Sequence, residues 1–146
     1  MIKVWRSTPD DIIEAIEDAL PVYAGDKGLY EGMSNALERG RLYTIGKADG
    51  TVLGVIGGVL IWQGVASVGA ILTNQIQGSP ISVVRVTKRI IETVMRDHKI
   101  HRMEMAVRCG YPVGQRWAEG LGFQAEGILR QYGEDRADYT MYGKVK

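Results

Sequence analysis

The sequence predicts an α/β (α+β) domain, a mixed, mostly antiparallel twisted sheet of about seven strands flanked by four helices. Three observations predict it. The chain has 146 residues, of which 45% are hydrophobic and 24% charged, the length of one domain (1–146) and the balance of a globular one. The apolar period switches between 3.6 and 2 along the chain. A long helical stretch near residue 90 separates two strand-like segments, so the chain crosses over there and those strands lie parallel.

The elements follow in order. Ile2, Val4 and Arg6 alternate with Lys3 and Trp5 in a short first strand. Ser7-Thr8-Pro9-Asp10-Asp11 then starts a helix, with Thr8 as cap, Pro9 at the first helical position and Asp11 closing a Thr-x-x-Asp box. Ile12, Ile13, Ile16 and Leu20 form its apolar face, and Pro21 ends it. A second helix is predicted over 27–39, with Leu29, Tyr30, Met33, Ala36 and Leu37 on one side and Gly40 as its stop. Strands at 41–48, 51–62 and 65–72 form an antiparallel meander, turned at Asp49-Gly50 and Gln63-Gly64. The polar loop 73–80 opens a helix over 81–98, whose buried face is Val83, Val84, Thr87, Ile91, Val94 and Met95. A strand at 101–107, a short helix at 112–121 stopped by Gly122, and strands at 123–131 and 137–145 complete the chain.

Composition excludes several classes. Eighteen Lys+Arg against 17 Asp+Glu leave a net charge of +1, without the basic excess of a protein that coats nucleic acid. The longest apolar candidate, 52–68, is broken by Gly54, Gly57, Gly58, Gln63, Gly64 and Ser67, so no membrane span is expected. The first residues lack the basic start and apolar run of a signal peptide, and the one cysteine, Cys109, suits a reducing compartment; the expectation is cytoplasmic. His98 and His101 have no carboxylate partner at a ligand spacing, and no metal is expected.

The segment Gln75-Ile76-Gln77-Gly78-Ser79-Pro80 lies between a strand and a helix start. Such a junction offers backbone N–H groups and the positive end of a helix dipole to a phosphate. Gly78 would let the backbone approach the anion closely. The same residues also suit an ordinary loop in which Ser79 caps the helix and Pro80 is its first residue.

This loop, the element order and Trp117-Ala118-Glu119-Gly120-Leu121-Gly122-Phe123 resemble the GNAT superfamily of acyl-CoA-dependent N-acyltransferases over essentially the whole chain. In that family a strand leads into Q/R-x-x-G-x-G/A, which binds the pyrophosphate of acetyl-CoA, and a later short helix ends in Gly-Phe. Gln75-x-x-Gly78-x-Pro80 and Gly122-Phe123 match these signatures except at Pro80. The resemblance implies acetyl-CoA as co-substrate, held by Leu72, Thr73, Gln75, Gln77, Gly78 and Ser79, with Arg85, Lys88 and Arg89 facing its 3′-phosphate or simply solvent. Two departures stand out. Pro80 has no N–H to donate, and the position where many members carry a tyrosine acid is Ala118.

Acetyl transfer to an amine needs a donor to the thioester carbonyl and a proton for the departing thiolate. A backbone N–H of the 65–72 strand can supply the first. Tyr111, just past a strand end, is the best-placed acid among Tyr111, Tyr132, Tyr139 and Tyr142, each of which also suits simple aromatic packing. Glu104 is read as a salt-bridged strand residue and Cys109 as a structural thiol.

The expected function is therefore acetyl transfer from acetyl-CoA to a primary amine, with an amine acceptor as partner. The alternative is a catalytically weak or inactive structural protein. The stretch from Arg116 to Gly127, with Tyr132-Gly133 and 138–142, is similar to GNAT-like proteins of tailed bacteriophages, some of them virion proteins, so phage virion partners are the matching expectation. A homodimer paired across a sheet edge fits the antiparallel strands.

Overall fold

The structure, a computed structural model, describes residues 2–18, 39 and 41–146. Its elements are β1 (Ile2–Arg6), α1 (Pro9–Glu17), β2 (Leu42–Lys47), β3 (Val52–Trp62), β4 (Val65–Leu72), a 3-10 turn (Asn74–Gly78), α2 (Pro80–Asp97), β5 (Arg102–Arg108), α3 (Pro112–Gly120), β6 (Gln124–Leu129) and β7 (Tyr139–Val145). The seven strands form one sheet in the order β1-β2-β3-β4-β5-β7-β6. Three α-helices fall among the described residues. The predicted helix at 27–39, with Leu20, Pro21 and Gly40, lies outside them, apart from Arg39, which is in a turn. The chain divides into two compact units, Met1–Val59 with Gly69–Val86 and Leu60–Val68 with Thr87–Lys146.

In the first unit β1 and β2 pair antiparallel from Ile2–Lys47 to Arg6–Tyr43, and β2 pairs antiparallel with β3. The predicted helix start is as expected: Thr8 accepts from the Asp11 N–H at 3.3 Å, and the Asp11 carboxylate accepts from the Thr8 N–H at 2.9 Å. That carboxylate also takes the Trp5 indole N–H and the Thr44 hydroxyl, both at 3.0 Å. These bonds set the roll of α1. Ile12 and Ala15 face the core with Leu42, Val52, Val55 and Ile71, while Ile13 and Ile16 are exposed, a correction to the expected apolar face. The first strand lies where expected, over Ile2–Arg6. Trp5 turns inward and Val4 outward, because Gly46 leaves space for the indole that any β-carbon there would fill.

The turn chemistry follows the sequence. Asp49 Oδ1 accepts from the Thr51 N–H at 2.9 Å, and Gly50 and Gly64 take φ of 92° and 83°. On α2 the buried residues Val83, Thr87, Ile91 and Met95 recur at helical spacing, with Val84 and Val94 half-buried beside them.

In the second unit β5 pairs antiparallel with β7 along its whole length, from Arg102–Val145 to Arg108–Tyr139, and β7 pairs with β6. The parallel ladder of β4 on β5 is short. It covers Val65, Ala66 and Ser67 against Arg102, Met103 and Glu104 and ends there. Among the described residues no helix is long and apolar enough to cross a membrane.

Candidate functional site

The crossover that follows β4 carries the candidate site. Residues 68–72 of β4 run past the end of the β5 ladder, so their backbone groups are not used by that pairing. The strand ends in Leu72, whose side chain is buried, and Thr73, which is fully buried. Thr73 is bound entirely within the protein. Its hydroxyl donates to the carbonyls of Val52 and Leu53 at 2.9 and 3.2 Å, and its N–H donates to Leu53 O at 3.0 Å.

The expected open loop is instead a 3-10 turn, Asn74–Gly78. Most of its amides are spent on the chain itself. The Asn74 N–H donates to Asp18 O at 3.0 Å, the Gln75 N–H to Thr73 Oγ1 at 3.3 Å, the Ile76 N–H to Thr73 O at 3.2 Å and the Ser79 N–H to Ile76 O at 2.9 Å. The Gln75 side chain is also engaged, donating from Nε2 to Asp18 Oδ2 at 3.2 Å, while Asn74 Nδ2 reaches Asp18 O at 3.1 Å. The turn is held by Asp18, the C-cap of α1, and by the buried Thr73 hydroxyl, neither of which a local motif signals.

The donors that remain lie one step further along. Pro80 opens α2 and has no N–H. The first backbone bond into the helix runs from the Val83 N–H to Ser79 O at 3.1 Å. Ile81 and Ser82 therefore carry the outward-facing amides of the first turn, at the positive end of an 18-residue helix. Both residues are exposed. Gln77 and Gly78 are exposed too, and a β-carbon built on Gly78 would have no neighbour within 4 Å among the described residues. Arg85, Lys88 and Arg89 are exposed along α2.

A separate candidate, Tyr111, is in the second unit, at the start of α3. Tyr111 is the N-cap of this helix but makes no side-chain cap bond. Its ring packs on Gly114, where a β-carbon would stand 2.6 Å from Tyr111 Cδ1 and 2.8 Å from Val107 Cγ1. The Tyr111 hydroxyl is buried without a hydrogen-bond partner among the described residues, and burial raises its pKa above the usual tyrosine value of 10.0. A capping site given to a residue that cannot cap, with an orphaned hydroxyl, breaks a local rule in the way functional positions do. Ala118 is fully buried, and the indole N–H of neighbouring Trp117 is likewise buried and unpartnered.

The remaining candidates have structural partners. Glu104 takes Arg102 Nε at 3.3 Å, as the sequence reading expects, and Arg102 also binds Glu126 in bidentate fashion at 2.9 and 2.6 Å. Tyr132 packs on Tyr139 at 5.4 Å between ring centroids, and Arg108, paired with Asp135, lies over the Tyr139 ring. Tyr142 is buried, and its pKa is raised by burial first and then by the nearby Glu119 carboxylate. Cys109 Sγ lies 3.4 Å from Thr140 Oγ1. Among the described residues no cluster of three metal-ligating side chains occurs.

No protein-family model matches the sequence, and no curated protein matches it. Solved structures do match its shape. An acetyltransferase of the GNAT family from Bacillus anthracis superposes with a TM-score of 0.72 at 12% identity, covering 99% of this chain and 94% of its own. The chain has the GNAT acetyltransferase fold. Ard1 from Thermoplasma volcanium is similar at a TM-score of 0.80 and 15% identity, over 99% of this chain and 97% of its own. A ribosomal-protein-alanine N-acetyltransferase from Brucella melitensis gives 0.72 and 16%, over 99% of both chains. At these identities the likeness concerns the GNAT fold, so activity has to be argued from the residues.

Proposed function

We propose that the whole chain is a single acyltransferase domain that binds acetyl-CoA and passes its acetyl group to a primary amine. The observation that carries this reading is the pair of amides at Ile81 and Ser82, unspent among the described residues and heading the helix that follows β4 in a GNAT fold. The donor set suits a diphosphate: two backbone N–H groups at a helix dipole, reached over the open surface of Gly78. This shifts the anion contact from Gln75 and Thr73, which are bonded internally, toward the start of α2. Gln77, Gly78 and Ser79 remain beside it, and β4 from Leu72 backward is the strand along which the acyl arm would lie.

When bound, acetyl-CoA supplies an acyl group activated toward amines. The chain's own part is to fix it and to supply hydrogen bonds. In this reading a backbone N–H within residues 68–72, beyond the end of the β5 ladder, would donate to the acyl carbonyl. Tyr111 is the proton donor the chain itself offers. Burial keeps its phenol protonated at neutral pH, and the sealed hydroxyl must be opened at the start of α3 before it can give up the proton. The acceptor is a primary amine in this reading, as the named activity of the Brucella melitensis neighbour suggests.

Calorimetric titration with acetyl-CoA, followed by a thiol-release assay over a panel of peptide N-termini and polyamines, tests this reading. Saturable heat and amine-dependent thiol release support it, and no heat at millimolar acetyl-CoA refutes it.

A second reading has its own observation. The Thr73–Ile76 amides are occupied, Pro80 offers none, and Ala118 fills the place of a side-chain acid with a fully buried methyl. That combination supports the alternative of a GNAT fold kept for assembly, as in a virion-associated protein of a tailed phage; in this reading the chain would act in a virion rather than the cytoplasm. Binding of acetyl-CoA without turnover of any amine is the outcome that favours it.

A further inference from the structure

Two exposed patches of this chain are opposite in charge and alike in having apolar side chains at their centres. The first is on α1. Ile12 and Ala15 are its buried side. Asp10, Ile13, Glu14 and Glu17, at i, i+3, i+4 and i+7, share the other side, and all four are exposed, Ile13 to 50%. Among the described residues none of these three carboxylates is paired with a cation.

The second patch is the end of the β3–β4 hairpin. Leu60, Ile61 and Trp62 are exposed in succession, Trp62 to 65%, and Val145 to 69%. Backbone bonds tie this end together. Gly64 O accepts from the His101 and Arg102 N–H groups at 2.9 and 3.2 Å, and His101 O accepts from the Lys146 N–H at 2.9 Å. Lys99 and Lys146 are exposed there, and among the described residues neither has a carboxylate partner. On this strand Leu60 and Trp62 share one face and Ile61 the other; an exposed tryptophan beside an exposed leucine is the kind of surface that marks a protein contact.

We propose that α1 of one copy docks against the hairpin end of a second copy, with Ile13 on Trp62 and its apolar neighbours, and Glu14 and Glu17 toward Lys99 and Lys146. Charge selects this arrangement. Docking α1 on α1 brings carboxylates together, and docking hairpin on hairpin brings lysines together, so neither patch suits itself. A contact between two unlike patches is heterologous, and it links copies head to tail into a ring or an open chain.

Sedimentation velocity of the full-length protein tests the proposal with two variants, Trp62→Ser and the double variant Glu14→Lys/Glu17→Lys. All three positions are exposed, and circular dichroism checks that the fold is kept. At about 50 mM salt the unaltered protein sediments faster as its concentration rises. At about 0.5 M salt, where screening shortens charge interactions to a few ångströms, it returns to monomer. Each variant alone associates about tenfold more weakly or worse. An equimolar mixture of the two variants forms a 1:1 pair and nothing larger, because each copy brings the one patch the other lacks. A protein that stays monomeric throughout, variants that associate like the parent, or a mixture that remains monomeric each overturns the proposal.

Discussion

Asp18, the C-cap of α1, accepts the Gln75 side-chain amide on Oδ2 at 3.2 Å, so the end of the first helix holds the turn that opens α2. The same residue takes Asn74 on its backbone carbonyl and on Oδ1. These contacts are exposed, and exposed polar contacts contribute little each. Asp18→Ala is therefore expected to lower the unfolding midpoint by only about 2–4 °C, for a loss of roughly 1 kcal/mol. Its larger effect should be on acetyl-CoA binding, weakened several-fold because the turn loses both side-chain bonds and keeps only those of Asn74 to the Asp18 carbonyl. Thermal unfolding and calorimetry on the one variant separate the two.

Thr73 behaves differently because it is fully buried. Thr73→Val keeps the shape but leaves the Val52 and Leu53 carbonyls without the hydroxyl that donates to them. Losing a buried donor in this way costs about 1–3 kcal/mol, read by urea unfolding, and Thr73→Ser should recover most of it.

Pro80→Ala returns an N–H to the first turn of α2. If the start of that helix holds a diphosphate, acetyl-CoA affinity should rise about fivefold to tenfold, the worth of one charge-assisted hydrogen bond. Stability should fall slightly, since proline suits the first helical position.

At Tyr111, stability and activity should move in opposite directions. Tyr111→Phe removes a buried hydroxyl that has no partner among the described residues, so the folded protein should gain up to about 1 kcal/mol. Turnover should fall about a hundredfold if the phenol is the proton donor, and an unchanged kcat would remove it from the mechanism. Gly114→Ala should cost about 1–3 kcal/mol, because a β-carbon there stands 2.6 Å from the Tyr111 ring. The pH sign is fixed by the direction of the shift. The folded pKa is raised, so the stability linked to Tyr111 is intact below the usual value of 10.0 and is lost as pH rises through the folded pKa. The unaltered protein should weaken above about pH 10 more steeply than Tyr111→Phe does.

Much of the fold was legible because the signals were local. Thr8-Pro9-Asp10-Asp11, Asp49-Gly50 and Gln63-Gly64 each set a boundary through side-chain or backbone chemistry within four residues, and the described residues keep those boundaries. The faces of β1 and α1 were not legible. They depend on Trp5, Asp11, Thr44 and Gly46 meeting across about 40 residues of chain, which no periodicity records. The site divides in the same way. The helix start after β4 shows in the sequence at Gly78-Ser79-Pro80, whereas the loss of the Asn74, Gln75 and Ile76 amides depends on Asp18 and on the Thr73 backbone and hydroxyl. Glu104 was legible as an ion-pair residue because its partner, Arg102, is on the same strand two positions away.

The most direct measurement is a ¹H–¹⁵N titration of the protein with acetyl-CoA, followed at the backbone amides of Ile81 and Ser82. Downfield shifts of these two signals that saturate together, with Thr73 and Asn74 little changed, are the predicted result. Unmoved Ile81 and Ser82 signals at millimolar acetyl-CoA contradict the assignment of this helix start as the anion site.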